Sequence, residues 1–323
     1  MTDSRVHINN SVIRWAIDSG ECSFVFLKQK YSLDQWMNAK SEIDFPTIQQ
    51  LLEFGQDTHI PFIYLLGDKI PGDDPELVRL ISTNGYNTRP SRRLIEIYDS
   101  MKIKQAWVKD YFLEEREFCR TKRLVLINQS NSFQSAYQTI ANILNLSELS
   151  INDGSYDIIY KLMVDRISDC GVLIFQSGIV GFDSHRELDN REIRSLVLVD
   201  EIAPLIFVNT NDLIQNKIFA LVHGFVHVLL KSDELLMGGK DCKTDEGKWI
   251  ESVVAAIISD VLCNDNSHQH SFPSQKDLHF IPDRNFRDAV IASEACSEIS
   301  LLEASRLLEM SVSDYCKISN ATK

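Results

Sequence analysis

The sequence predicts an α+β protein: an all-α opening part followed, late in the chain, by a small sheet and two long helices. Three observations predict it. Residues 6–67 repeat apolar side chains at helical spacing with short connections. Two β-branched runs, residues 195–199 and 205–208, read as neighbouring strands. Two long helical patterns, residues 211–231 and 245–262, follow them.

The elements are justified in order. Residues 11–19 carry Val12, Ile13, Trp15, Ala16 and Ile17 and stop at Gly20. A short apolar segment spans 24–31, and Leu33, Trp36 and Met37 stand at i, i+3, i+4, one helix face. Pro46 is read as a first-turn residue, opening a helix with Ile48, Leu51, Leu52 and Phe54. Short helices with short connections fit a helix-turn-helix bundle. Pro71-Gly-Asp-Asp-Pro75 is a turn-rich linker, and 76–88 reads as irregular. Residues 91–122 and 132–144 are helical, as is 156–168. Gly171-Val-Leu-Ile-Phe175 is a short strand that 179–182 extend or follow, and the tail is helical over 286–308.

Composition bounds the function. The chain has 323 residues, 33 basic against 46 acidic, for a net charge of −13. With 44% hydrophobic and 24% charged residues it is neither disordered nor fibrous. So acidic a chain repels nucleic acid overall. The charge is uneven: residues 89–123 hold ten basic and six acidic side chains, the one basic window. Any contact with DNA or an acidic partner is expected there. No apolar run reaches the ~20 residues of a membrane span. The polar start lacks a leader pattern, so a cytoplasmic protein is expected. Seven scattered cysteines without a C-x-x-C pair argue for reduced thiols.

His223 and His227 carry the chemistry. Four apart on a helix, they share one face, as the two zinc ligands of H-E-x-x-H helices do. Glu251, opening the next long helix, is the candidate third ligand, with an acid of the 231–247 loop as the alternative. The competing reading is two core histidines in an apolar helix. Position 224, where the general-base Glu would stand, is Gly, which can neither accept nor donate a proton. His268 and His270 lie in a polar stretch and read as a solvated loop, and Cys263 reads as core. In the N-terminal part, Gln35, Asn38 and Lys40 on a helix over 33–42 are the only candidates to read DNA, diluted by Asp34 and Glu42.

The run Pro204-Leu-Ile-Phe-Val-Asn209, then Phe219-Ala-Leu-Val-His-Gly-Phe-Val-His-Val-Leu-Leu230, then Glu251 with Leu262 eleven residues on, resembles the ImmA/IrrE family of zinc-metallopeptidase-like proteins. Upstream, Val12-Ile-Arg-Trp-Ala16, Trp36, Pro46-Thr47, Leu51 and Pro61 resemble the degenerate XRE-type helix-turn-helix that often precedes this domain. Gln105-Ala-Trp107 resembles its connector, and Ala304, Leu307 and Met310-Ser-Val-Ser313 are similar to its small C-terminal module. The departures are Gly224 for the general base, Val254 and Ala255 for a Cys-Asn pair, and Asn264 for Pro.

The resemblance implies an XRE-like domain over 1–70, a linker and basic connector over 71–130, a zincin-like domain over 131–265 and a helical tail over 266–323. It implies zinc on His223, His227 and Glu251, and a repressor-like or antitoxin-like protein partner in a prophage, stress-response, toxin–antitoxin or defence module. Three states are open: zinc held in a hydrolytically dead domain, a metal-free interaction platform, or activity rescued by another acid such as Asp245 or Glu246. The expected function is a regulatory pseudo-metallopeptidase. The alternatives are an active zinc endopeptidase that cleaves a repressor-like partner and an XRE-type DNA-binding regulator.

Overall fold

A computed structural model describes residues 4–83, 89–114, 126–127, 132–148, 156–239, 244–262 and 279–321. It is mixed α+β, with fourteen α-helices and a four-stranded sheet among the described residues. The chain divides into two compact units, Met1–Arg79 with Thr88–Ile95, and Leu80–Asn87 with Glu96–Lys323.

The first unit is helical. α1 (Asn10–Ser19) is capped by the Asn9 side chain, which accepts from the Ser11 N–H. α2 (Phe24–Lys30) is capped by Ser23 in the same manner. α3 (Leu33–Met37) is only five residues long, shorter than the 33–42 helix the sequence suggests. Asn38 ends it, and Glu42–Asp44 forms a separate 3-10 turn. α4 (Ile48–Thr58) starts two residues later than Pro46 implies. Thr47 is its cap and exchanges hydrogen bonds with Gln50, which satisfies two orphan N–H groups. α5 (Phe62–Leu65) follows. Tyr31, Trp36 and Phe54 form an edge-on aromatic cluster, with ring centroids 5.4–5.7 Å apart, at the centre of the core. Residues 76–83, read as irregular, are instead in α6 (Pro75–Thr83). The Asp74 carboxylate accepts from the Glu76 N–H at 2.8 Å, and Leu77, Leu80 and Ile81 are buried.

The second unit is built on the sheet. α7 (Arg92–Glu114) contributes its length from Glu96 onward; residues 115–122 of the expected helix lie outside the described residues. α8 (Phe133–Leu144) and α9 (Tyr156–Asp169) lead into β1 (Leu173–Ser177). β2 (Ser195–Leu198) and β3 (Leu205–Asn209) are antiparallel neighbours, as their sequences suggest, and β1 joins β3 in parallel. Of the 179–182 stretch, only Ile179 pairs, in a single bridge to Glu187. After α10 (Ile214–Leu230) the chain adds β4 (Glu234–Leu236), unforeseen because three residues are too few for a periodic signal. The strand order is β1-β3-β2-β4.

Both faces of the sheet are covered. Ile174, Val197, Ile206 and Val208 point into one apolar core shared with α8, α9, α10 and α11 (Asp245–Leu262). On the opposite face, Phe175 meets Phe280 and Phe286, and Phe286 meets Trp107 of α7 at 5.5 Å. The expected 286–308 helix is broken into α12 (Arg284–Ala295) and α13 (Leu301–Leu307), followed by α14 (Val312–Ala321). The break contains Ser297 at φ 62°. The connector helix from Glu96 onward and the described part of the tail therefore belong to the same compact unit as the sheet.

Polar contacts fix α7 in this unit. Gln105 donates from Nε2 to the carbonyls of Leu198 and Ala203, at 2.8 and 2.9 Å, and so closes the β2–β3 turn. Lys109 pairs with Asp200 across the same turn. Lys104, buried in the interior, pairs with Glu309 at 2.7 Å and lies 4.8 Å from the Phe280 ring centroid. Replacing Lys104 by Met leaves Glu309 buried without its cation. We expect a loss of about 3 kcal/mol in urea unfolding, largely recovered in the Lys104→Met/Glu309→Leu double variant. An unchanged midpoint for the single variant would contradict this.

Candidate functional site

α10 is almost wholly buried because its apolar residues face the sheet on one side and α9 and α11 on others. The two histidines stand within this layer. His223 and His227 are each 7% exposed, and their ring centroids are 4.8 Å apart. The Phe219 ring stacks on His223 at 5.7 Å. Neither Nδ1 atom has a hydrogen-bond partner among the described residues. Burial holds His223 down to about 4. Burial, followed by the neighbouring His223, holds His227 down to about 3, against a weaker opposing effect of the Ser232 backbone. Both rings are thus neutral near pH 7, the form that binds metal.

Gly224 faces the sheet. A Cβ at that position would stand 3.0 Å from Ile206 Cγ2 and 3.3 Å from Val197 Cγ2. The position that follows the first histidine is therefore occupied by close helix–sheet packing, and any longer side chain enters the apolar layer between them. Glycine's cost in a helix interior, ~1 kcal/mol relative to Ala, is accepted for this approach.

The expected third ligand, Glu251, lies on α11, the helix that packs beside α10. α11 buries Ile250, Val253, Val254, Ile257 and Val261, and Glu251 stands about 100° around the helix from Ile250, half-buried on the shoulder of that face. Among the described residues, no group of three or more His, Cys, Asp or Glu is placed to hold a metal ion. Two imidazoles supply half of a tetrahedral zinc set. Asp245 and Glu246 are exposed at the start of α11, and Asp245 lies 3.5 Å from Lys248. Cys263, His268 and His270 lie outside the described residues.

Two of the DNA-reading candidates, Gln35 and Asn38, are held locally through their side-chain amides, and Lys40 through its backbone N–H. Gln35 Nε2 donates to Asp44 Oδ1 at 3.0 Å, Asn38 Nδ2 to the Asp34 carbonyl, and the Lys40 N–H to Asp44 Oδ2. Hydrogen bonds from Gln35, then Lys40 and Ser41, lower the Asp44 carboxyl to about 2, which keeps a negative charge among them. Among the described residues of the basic window, four are paired: Arg89 with Asp73, Arg93 with Glu21, Lys104 with Glu309 and Lys109 with Asp200.

Sequence reasoning passed over two features. Asn209, at the end of β3, donates to Asn190 Oδ1 and to the Ile193 carbonyl, pinning the preceding loop. Lys217, a single cation in the apolar run of α10, is buried; that isolation was its only signal. Compared with known proteins, the chain matches no family model, no curated protein and no solved structure.

Two outcomes follow from this geometry. Gly224→Glu forces a carboxylate into the apolar layer and is expected to cost more than about 3 kcal/mol in chemical unfolding; wild-type stability would show that position 224 faces elsewhere. In chelator-treated protein, both imidazoles are neutral when folded but titrate near 6.5 when unfolded. Stability should therefore fall as pH drops from about 6.5 toward 4, by about 1.4 kcal/mol per pH unit for each imidazole. His227→Phe should flatten that slope, and an identical slope in the variant would contradict the assignment.

Proposed function

We propose that the chain is a regulatory pseudo-metallopeptidase of the ImmA/IrrE type, which works by binding a protein partner and not by hydrolysis. The observation that carries this reading is the contact of Gly224 with Ile206 and Val197. Peptide hydrolysis on an H-E-x-x-H helix needs a carboxylate beside the first histidine to take a proton from water and hand it to the leaving amine. Here that place is packed against the sheet. The exposure of Asp245 and Glu246 argues against either acid as a substitute. Restoring Glu at position 224 would not rebuild the reaction, since its side chain would enter the core.

Partner binding is supported by the first unit's surface. α2 exposes Phe24, Val25 and Phe26 in succession, Val25 to 66%, an uncommon run for a surface without a partner. Following the resemblance, the natural partner class is a small repressor-like or antitoxin-like helical protein. The engaged amides of Gln35 and Asn38 and the ionised Asp44 weigh against direct DNA reading by the same unit.

The test is hydrolysis of an unfolded protein substrate by the purified chain, with and without added zinc, alongside elemental analysis. No chelator-sensitive cleavage is expected in either condition, and cleavage lost on chelation and in His223→Ala would overturn the reading. Zinc at one per chain, lost in His223→Ala, would identify the histidine pair as part of a structural site with Glu251 or another donor. Its absence would identify them as core histidines.

A further inference from the structure

The second unit contains a cavity of about 450 Å3, in the size range of small-molecule sites. It opens between α9, β1, the first turn of α10 and the start of α12, and neither histidine lines it. β1 and β3 run parallel, and Gln176 stands one residue short of the carboxyl end of β1. Open parallel sheets place ligands beside those ends.

The charged groups of the wall are engaged within the fold or stand in water. Arg284 is held by Asp165 at 3.9 Å and also by Asp169, and Arg287 by Asp288 at 3.0 Å. Asp283 is buried with both oxygens occupied. Oδ2 receives the Ser168 hydroxyl and the Ile174 N–H, and Oδ1 receives the Asn285 and Phe286 N–H groups that cap α12. Lys217 lies 5.5 Å from the Tyr160 ring centroid and has a further interaction besides, so its charge is already engaged. At the rim, Asp157 and Lys161 are exposed, opposite in sign and one helical turn apart.

Gln176 differs from these. It is 8% exposed and lines the cavity. Its backbone exchanges hydrogen bonds with Ile281 at 3.0 and 2.7 Å. Its Oε1 accepts the Tyr160 hydroxyl at 2.8 Å, which fixes the plane of the amide. Its Nε2, with two protons to give, donates to no group among the described residues. A donor so placed is costly to leave without an acceptor. The walls beside it are apolar: Val164, Ile174, Ile281 and Pro282.

We propose that this cavity binds an uncharged small molecule with an apolar body and an amide-type carbonyl, the carbonyl accepting from Gln176 Nε2 and the body lying against Val164, Ile174 and Pro282. An amide oxygen meets the donor at a small desolvation cost. A carboxylate would shed far more hydration, against cations that already have partners, and an ammonium has no acceptor to offer the Gln176 amide. The apolar walls add stabilisation through burial. The site does not involve the histidine pair, so it stands whether or not the pseudo-metallopeptidase reading does.

The experiment is an NMR titration of the full chain, labelled with 15N in its glutamine side chains, with benzamide, benzoate and benzylamine as probes. Benzamide should bind at one per chain, at least about tenfold tighter than benzoate or benzylamine. It should shift the side-chain N–H2 signal that is lost in Gln176→Glu. That variant keeps an acceptor for the Tyr160 hydroxyl and removes only the donor, so it should weaken benzamide about tenfold. Ile281→Glu changes an exposed residue of the apolar wall and leaves its backbone bridge to Gln176 in place. It should weaken benzamide at least about threefold, and it decides the matter if Gln176→Glu does not fold. No binding of benzamide, equal or tighter binding of benzoate or benzylamine, an unmoved Gln176 amide signal at saturation, or undiminished affinity in the folded variants would overturn the proposal.

Discussion

The contact of α10 with the sheet at Gly224 is the constraint on which the second unit depends. Without a Cβ at that position the helix settles directly over Ile206 and Val197. This brings Ile218, Leu221, Val222 and Phe225 into the same apolar core as Ile174 and Val208. The same approach buries both histidines and removes the space a catalytic carboxylate would need. A helix interior ordinarily disfavours glycine, so its presence here implies a compensating contact, and the sheet provides it.

The opposite face of the sheet shows the same economy with polar groups. Gln105 and Lys109 tie α7 to the β2–β3 turn, and Lys104 ties it to Glu309. Several cations that look in sequence like a nucleic-acid surface are engaged in ion pairs within the fold. Net charge alone would not reveal this, because an ion pair in the interior and a solvated lysine count equally in a sum. The buried pair with Glu309 is also what joins the tail to the sheet unit, so the tail is no independent appendage.

Much of this architecture is legible in the sequence, for physical reasons. β2 and β3 are dense in β-branched residues, and α10 is long and apolar, so their periodic signals survive without tertiary context. α6 was missed because its start depends on Asp74, a side-chain cap that a turn-rich neighbourhood disguises. The shortness of α3 was missed because helix ends depend on local contacts, here the competition of Asp44 for the Lys40 and Ser41 N–H groups. At the site, the i, i+4 pair was visible and the pair does come together. Where Glu251 lies relative to it depends on the rotation of α11 about its own axis, which a spacing of twenty-odd residues does not determine.

The most direct measurement is a double-mutant cycle between positions 224 and 206. Gly224→Ala, Ile206→Ala, which removes the Cγ2 methyl that a Cβ at 224 would meet at 3.0 Å, and the pair together are compared by urea unfolding. If the helix rests on Ile206 through Gly224, shortening Ile206 should relieve the strain of the added methyl, giving a favourable coupling on the order of 1 kcal/mol. Strict additivity, with Gly224→Ala showing the ordinary helix gain of ~1 kcal/mol, would contradict the close approach and with it the reason for excluding a base at that position.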